Sequence, residues 1–221
     1  MSLGYEVHAI SLPGHGKSSF NKKHINLYTL KDYVETLASQ VESISPKPIV
    51  IGHSLGGAVV QKYVENHQLP GAVLLSTLPS KGMLPMTLRM LRRHPIPTLK
   101  TLFKLNFYEA IRTPELAHDL FLNPKTEIDI DTFQKQLVRE TANAPALMFP
   151  FAKINPMKTP VLVVGAEKDN IFTVDEQEST AKKYNAKCVI MKNESHNLMM
   201  ESGWKQTADV IDNWITKELE L

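Results

Sequence analysis

The hexapeptide Gly52-His53-Ser54-Leu55-Gly56-Gly57 places a hydroxyl between two glycines at a point where the chain must turn. The apolar run Ile49 to Ile51 before it predicts a buried strand, and Ala58 to Val64 after it has the composition of a helix. A G-x-S-x-G spelling at a strand-to-helix turn suits a nucleophile. The glycines at 52 and 56 are expected to relieve backbone crowding, so that the Ser54 side chain stands clear of the sheet. The start of the helix brings free N–H groups and a partial positive charge beside the serine oxygen. The plainer alternative is that the glycines are turn residues and Ser54 only caps the helix. The strand before, the helix after and the extra glycine at 57 favour the nucleophile.

A serine hydroxyl attacks only when a base removes its proton, and imidazole, which titrates near neutrality, suits that task. A carboxylate behind the ring fixes its tautomer and stabilises its cation. His15, His53 and His196 compete for the first role, and Glu167, Asp169 and Asp175 for the second. His53 adjoins Ser54 within the turn and cannot easily swing its ring toward it. Each acid also has a plain reading as a turn or helix-start residue.

These residues need a scaffold, and the pattern supplies one. Strands are expected at Tyr5–Leu12, Ile49–Ile51, Ala72–Leu75, Pro160–Gly165 and Lys187–Met191. Helices are expected over 29–44, with Thr29 as a cap, directly after the elbow, over 174–184, and over 202–219 with Trp204, Ile211, Trp214 and Ile215 toward the sheet. Alternating strand and helix predicts an α/β fold with a mostly parallel sheet flanked by helices. Residues 79–156 break the rhythm. They hold all five arginines, six of eight phenylalanines and nine prolines, which predicts several short helices and no sheet. The expected organisation is a core of 1–78 and 157–221 with a helical lid insertion at 79–156. Phe103, Phe107, Met148 and Phe149 are the candidates for lining an apolar pocket beneath that lid.

Composition bounds the function. A formal net charge of +2 gives no reason to expect nucleic acid binding. No apolar run is long enough to span a bilayer, and Met1 to Glu6 has no signal-peptide pattern, so a cytoplasmic location is expected. The single cysteine, Cys188, rules out an internal disulfide and reads as a structural thiol. The eight histidines lack ligand spacing, so neither metal nor other cofactor is expected. Leu84, Leu88 and Leu91 with Arg89, Arg92 and Arg93 form a basic amphipathic segment. A lid helix with a solvated basic face is preferred there to one resting on a membrane surface.

Leu12-Pro13-Gly14-His15-Gly16-Lys17-Ser18, Gly52-His53-Ser54-Leu55-Gly56-Gly57, Val164-Gly165 with Asp169, and Ser195-His196 together resemble the α/β-hydrolase fold superfamily, closest to its lipolytic esterase and lysophospholipase-like members. The order Ser, acid, His is that of the family, and the resemblance covers nearly the whole chain. It implies Ser54 as nucleophile, Asp169 as acid, His196 as base and the Leu55 backbone N–H as an oxyanion donor. The implied reaction is hydrolysis of a small-molecule ester with an apolar acyl chain, through an acyl-enzyme.

The family's sheet begins with strands before Tyr5, which this sequence lacks. One of them would lie between 5–12 and the elbow strand and would carry a second oxyanion donor. Its absence implies a gap inside the sheet, with unpaired backbone and an edge open to self-association. A lost oxyanion donor costs about 10²–10³ in rate. The alternative reading is therefore a catalytically impaired binding or interaction module.

Overall fold

A computed structural model describes residues 3–16, 18, 25–104, 106–137 and 159–219. Its centre is a four-stranded parallel sheet in the order β1 (Val50–His53), β2 (Ala72–Leu75), β3 (Val161–Ala166), β4 (Lys187–Met191). Every residue of β2 and β3 is buried. That burial explains why both read as unbroken apolar runs, since parallel strands covered on both faces have no solvent side to alternate with.

The period-two geometry sorts their side chains onto two cores. Leu74, Val161 and Val163 face Tyr33, Leu37 and Val41 of α1 (Leu30–Glu42), Val60 and Tyr63 of α2 (Leu55–Val64), and Tyr184 at a third helix on that side. Val73, Leu75, Leu162 and Val164 face Trp214 and Ile215 from the last helix on the other. Each fully buried aliphatic side chain contributes roughly 1.5–3 kcal/mol. Trp204 departs from expectation. The residue is 45% exposed at the first position of that last helix, with Lys205 Nζ 5.6 Å from the ring centroid.

α1 starts at a capping box in which Thr29 and Asp32 satisfy each other's backbone amides. Between β2 and β3 the described chain is helical: α3 (Leu84–Arg93), α4 (Pro95–Lys104), a 3₁₀ turn (Phe107–Ile111), α5 (Pro114–Phe121) and α6 (Ile130–Gln136). α7 (Val174–Tyr184) joins β3 to β4, and α8 (Trp204–Glu218) closes the described chain. α3 is tied to α7 by Arg89, which donates to both Glu176 carboxylate oxygens at 2.8 and 2.7 Å and to the Ile171 carbonyl. Arg93 binds Asp119 and Asn170. Two of the three arginines on the basic amphipathic segment thus bind groups of this chain, Arg89 partly buried and Arg93 exposed. Among the described residues no helix is long and apolar enough to cross a membrane.

The expected strand at Tyr5–Leu12 does not form. These residues are largely exposed and pair with no strand among the described residues. A strand is a property of a pair, requiring a neighbour about 4.8 Å away. Here a groove of about 680 Å³ separates residues 3–12 from β1. Among the described residues β1, not 5–12, is the edge of the ladder.

Candidate active site

Ser54 is the single residue between β1 and α2, with φ of 52° and ψ of −116°. A non-glycine residue in the positive-φ region is strained, and such strain persists where the surroundings enforce it. Three backbone hydrogen bonds do so: Ser54 N–H to the Leu75 carbonyl at 3.1 Å, Gly57 N–H to the Ser54 carbonyl at 3.0 Å, and Leu78 N–H to the same carbonyl at 3.1 Å. The Ser54 hydroxyl makes no capping bond to α2, which removes the plain reading of it as a helix cap.

The glycines divide differently from expectation. A Cβ at position 52 would overlap the Gly56 carbonyl and meet Val60 Cγ2 at 2.7 Å, and one at 57 would overlap the Thr77 side chain. A Cβ at 56 meets nothing. The tight approaches are thus at 52 and 57, where the turn presses on α2 and on the chain leaving β2. Gly56 relieves no crowding.

Asp169 and His196 meet in the interior, each with its side chain fully buried. Asp169 lies just past β3. Its Oδ1 accepts the N–H groups of Ile171 at 2.8 Å and Phe172 at 3.0 Å, which fixes the carboxylate plane. Its Oδ2 lies 2.8 Å from His196 Nδ1. An ionised carboxylate only accepts, so Nδ1 carries the proton and Nε2 presents a lone pair. Nε2 is buried without a hydrogen-bond partner, and no hydrogen bond joins it to Ser54 among the described residues.

The competing acids are engaged elsewhere. Glu167 Oε2 accepts the Asn193 N–H at 2.8 Å, and Asp175 sits in the first turn of α7. Of the competing histidines, His15 lies 3.2 Å from the Pro13 carbonyl through Nδ1 and edge-on to Tyr33. His53 has a different place. Its Nε2–H donates to the His196 carbonyl at 3.0 Å, and the two rings lie 4.8 Å apart. Burial, then the neighbouring His196 ring, lowers the His53 pKa to about 3 against partial relief from the carbonyl bond and Asp169. His53 is therefore neutral near pH 7 and adds no positive charge beside His196.

Phe121 from α5 and Phe172 complete the wall, each with its ring 5.6 Å from that of His196. Sequence reasoning missed both. Phe172, three residues after Asp169, offered a local signal, and Phe121 offered none. Of the proposed lining residues, Phe103 is 86% exposed on α4 and faces water. Phe107 is half-buried against the cluster of Met86, Met90 and Ile111. Met148 and Phe149 lie outside the described residues. Cys188 is half-buried, and burial raises its thiol pKa to about 11, which suits a structural role.

A parallel α/β sheet with a strained serine at one strand end and a buried Asp–His pair at the next but one defines a class of doubly covered α/β proteins. Within that class, residues 1–210 match the model of the alpha/beta hydrolase family, and the chain belongs to that family. No curated protein sequence matches it. Among solved structures it is similar to an extracellular alpha/beta-hydrolase from a Paenibacillus species, with 18% identity, TM-score 0.68, and 95% of this chain and 87% of that one covered. A thermophilic esterase is similar at 20% identity and TM-score 0.64, covering 94% and 79%. A bacterial membrane phospholipase A gives 20% identity and TM-score 0.62, covering 91% and 69%. At these identities the likeness speaks for the fold.

Proposed function

We propose that the chain is a serine hydrolase that cleaves carboxylic esters with an apolar acyl group through an acyl-enzyme on Ser54. The observation that carries this reading is the 2.8 Å contact of Asp169 Oδ2 with His196 Nδ1, which leaves the lone pair on Nε2, buried and without a hydrogen-bond partner among the described residues. Nε2 takes the Ser54 proton as Oγ bonds to the ester carbonyl carbon. The carbonyl oxygen becomes an oxyanion, and the Leu55 N–H donates to it. As the first residue of α2, Leu55 has no intrahelical acceptor for that N–H. Asp169 stabilises the imidazolium, which passes its proton to the leaving alkoxide as the ester C–O bond breaks. Water repeats the sequence on the acyl-enzyme and releases the acid.

The helices after residue 79 serve in this reading as a cap over the acyl site. Support comes from Met86, Met90, Ile111 and Leu120, which pack on Ala58, Ile171 and Phe172, and from Phe121, which carries that apolar surface to His196. The experiment is labelling with a fluorophosphonate probe, alongside hydrolysis of p-nitrophenyl esters of graded chain length. Labelling of the parent and none of Ser54→Ala is expected, and an unlabelled parent overturns the reading.

A second reading, an impaired binding module or one that self-associates through its incomplete sheet, is favoured by one observation. The groove beside β1 runs up to His53 and Gly56, next to the oxyanion position.

A further inference from the structure

α3 is laid down in the opposite sense to the one its composition suggests. A surface helix ordinarily turns its leucines to the core and its arginines to water. Here Met86 and Met90 are buried on the inner side. Arg89 and Arg93 share that side, bonded to Glu176 on α7 and to Asp119 on α5. The basic face expected to be solvated is therefore turned largely inward. Leu84 and Leu88, four residues apart on the opposite stripe, are half-exposed. α4, which packs on α3, repeats the arrangement. Ile96, Leu99 and Phe103, at i, i+3 and i+7, are 65%, 42% and 86% exposed, whereas Thr98 is buried.

The charge on these two helices has one sign. Lys81, Arg89, Arg92, Arg93, Lys100 and Lys104 all fall within residues 81–104, which contain no aspartate or glutamate. Arg89, Arg93 and Lys104 are paired with Glu176, Asp119 and Glu109. Arg92, beside the leucine stripe, and Lys100, beside the Ile96 stripe, are exposed and make no ion pair among the described residues. The hydroxyls of Thr87, Thr98 and Thr101 are used on the carbonyls four residues back. The outward faces thus offer apolar side chains and cations on long stems, with no directional group to set a partner's register. A protein partner would need about one hydrogen bond per 100–200 Å² of interface. A fluid bilayer surface needs none, and its phosphates supply the negative charge.

We propose that the outward faces of α3 and α4 are a docking surface for an anionic lipid bilayer. Leu84, Leu88, Ile96, Leu99 and Phe103 enter the boundary between headgroups and acyl chains, and Arg92 and Lys100 meet lipid phosphates. The backbone of both helices is bonded internally, so entry leaves no new peptide group unsatisfied. The inference does not require Ser54 to be a nucleophile. Its test reads binding, so vesicle binding and fluorophosphonate labelling fail independently of each other.

The probe is a sucrose-loaded vesicle of equimolar phosphatidylcholine and phosphatidylglycerol, sedimented with the full chain and compared with a vesicle of phosphatidylcholine alone. The protein should pellet with the mixed vesicle and bind the neutral one at least about fivefold more weakly. Phe103→Glu, at a position that faces water in the free protein, should weaken binding to the mixed vesicle by at least about tenfold. Arg92→Glu should weaken it by at least about fivefold. Both variants should keep the melting temperature of the parent, and Ile96→Glu repeats the apolar test at a second exposed position. Absence of binding to the mixed vesicle, equal binding to the two vesicles, or equal binding by the parent and a folded variant overturns the proposal. So does a parent that is a dimer in solution and becomes monomeric as Phe103→Glu, since the face would then belong to a second copy. The comparison of the two vesicles needs no variant to give its answer.

Discussion

Asp169→Asn isolates what the buried carboxylate does to His196, because the structure fixes which way the new amide must face. Asp169 Oδ1 accepts two backbone amides, from Ile171 at 2.8 Å and Phe172 at 3.0 Å. An asparagine keeps both bonds only if its carbonyl oxygen takes the Oδ1 position. The opposite flip sets an NH₂ group against two N–H donors and forfeits two neutral bonds worth about 0.5–1.5 kcal/mol each. The amide nitrogen therefore replaces Oδ2, 2.8 Å from His196 Nδ1. An NH₂ donates only to a nitrogen with a free lone pair, so the ring proton moves from Nδ1 to Nε2. The nitrogen that, in the proposed mechanism, receives the Ser54 proton is then already occupied. The side chain keeps its shape and the base is lost. An acid-to-amide change of this kind lowers kcat by about 10⁴ in a serine–histidine–aspartate site, or about 5.4 kcal/mol of barrier. The assay is hydrolysis of a p-nitrophenyl ester by parent and variant at matched concentration, with melting temperatures compared to establish that both are folded. A folded Asp169→Asn protein within about tenfold of the parent would refute the assigned tautomer and, with it, the role of the carboxylate.

Substitution along the elbow should separate the glycines. Gly57→Ala drives a methyl into Thr77 and should destabilise by about 1–3 kcal/mol, whereas Gly56→Ala, which meets nothing, should leave the urea midpoint close to that of the parent. Equal midpoints for the two variants would contradict the packing described. The lowered pKa of His53 makes stability pH-dependent in a stated direction. The unfolded chain takes a proton near pH 6.5 that the folded chain refuses until about pH 3, so stability is full above 6.5 and is lost as pH falls through that window. This one group contributes a slope of up to about 1.4 kcal/mol per pH unit. His53→Gln, which can still donate to the His196 carbonyl, should flatten the urea-unfolding profile between pH 6 and 4, and an unchanged slope would count against the burial of a neutral ring there.

How far the sequence announces this molecule depends on whether a feature is local. β2, β4 and α7 fall where the periodicity puts them, because a short apolar run or a capped amphipathic stretch carries its own boundaries. The Asp169 turn is similarly self-contained, since the carboxylate binds amides only two and three residues ahead. Residues 5–12 fail for the opposite reason. Their composition suits a strand, but strand formation depends on a neighbour, and none pairs with them among the described residues. The glycine at 57 is required by Thr77, twenty residues away, so G-x-S-x-G alone finds the close approach at 52 and misses the one at 57. Phe121 reaches His196 across 75 residues of sequence, and only the folded path of α5 brings it there. The Asp169 carboxylate is thus held by near neighbours, whereas Ser54 is braced by Leu75 and Leu78 and His196 by Asp169 and Phe121, all distant in sequence. A chain of the same family could therefore keep the Asp169 and Ser54 turns intact while exchanging the residues that meet at Phe121. In the proposed hydrolase, differences in the acyl groups admitted should arise around Phe121, where motif reading has least purchase.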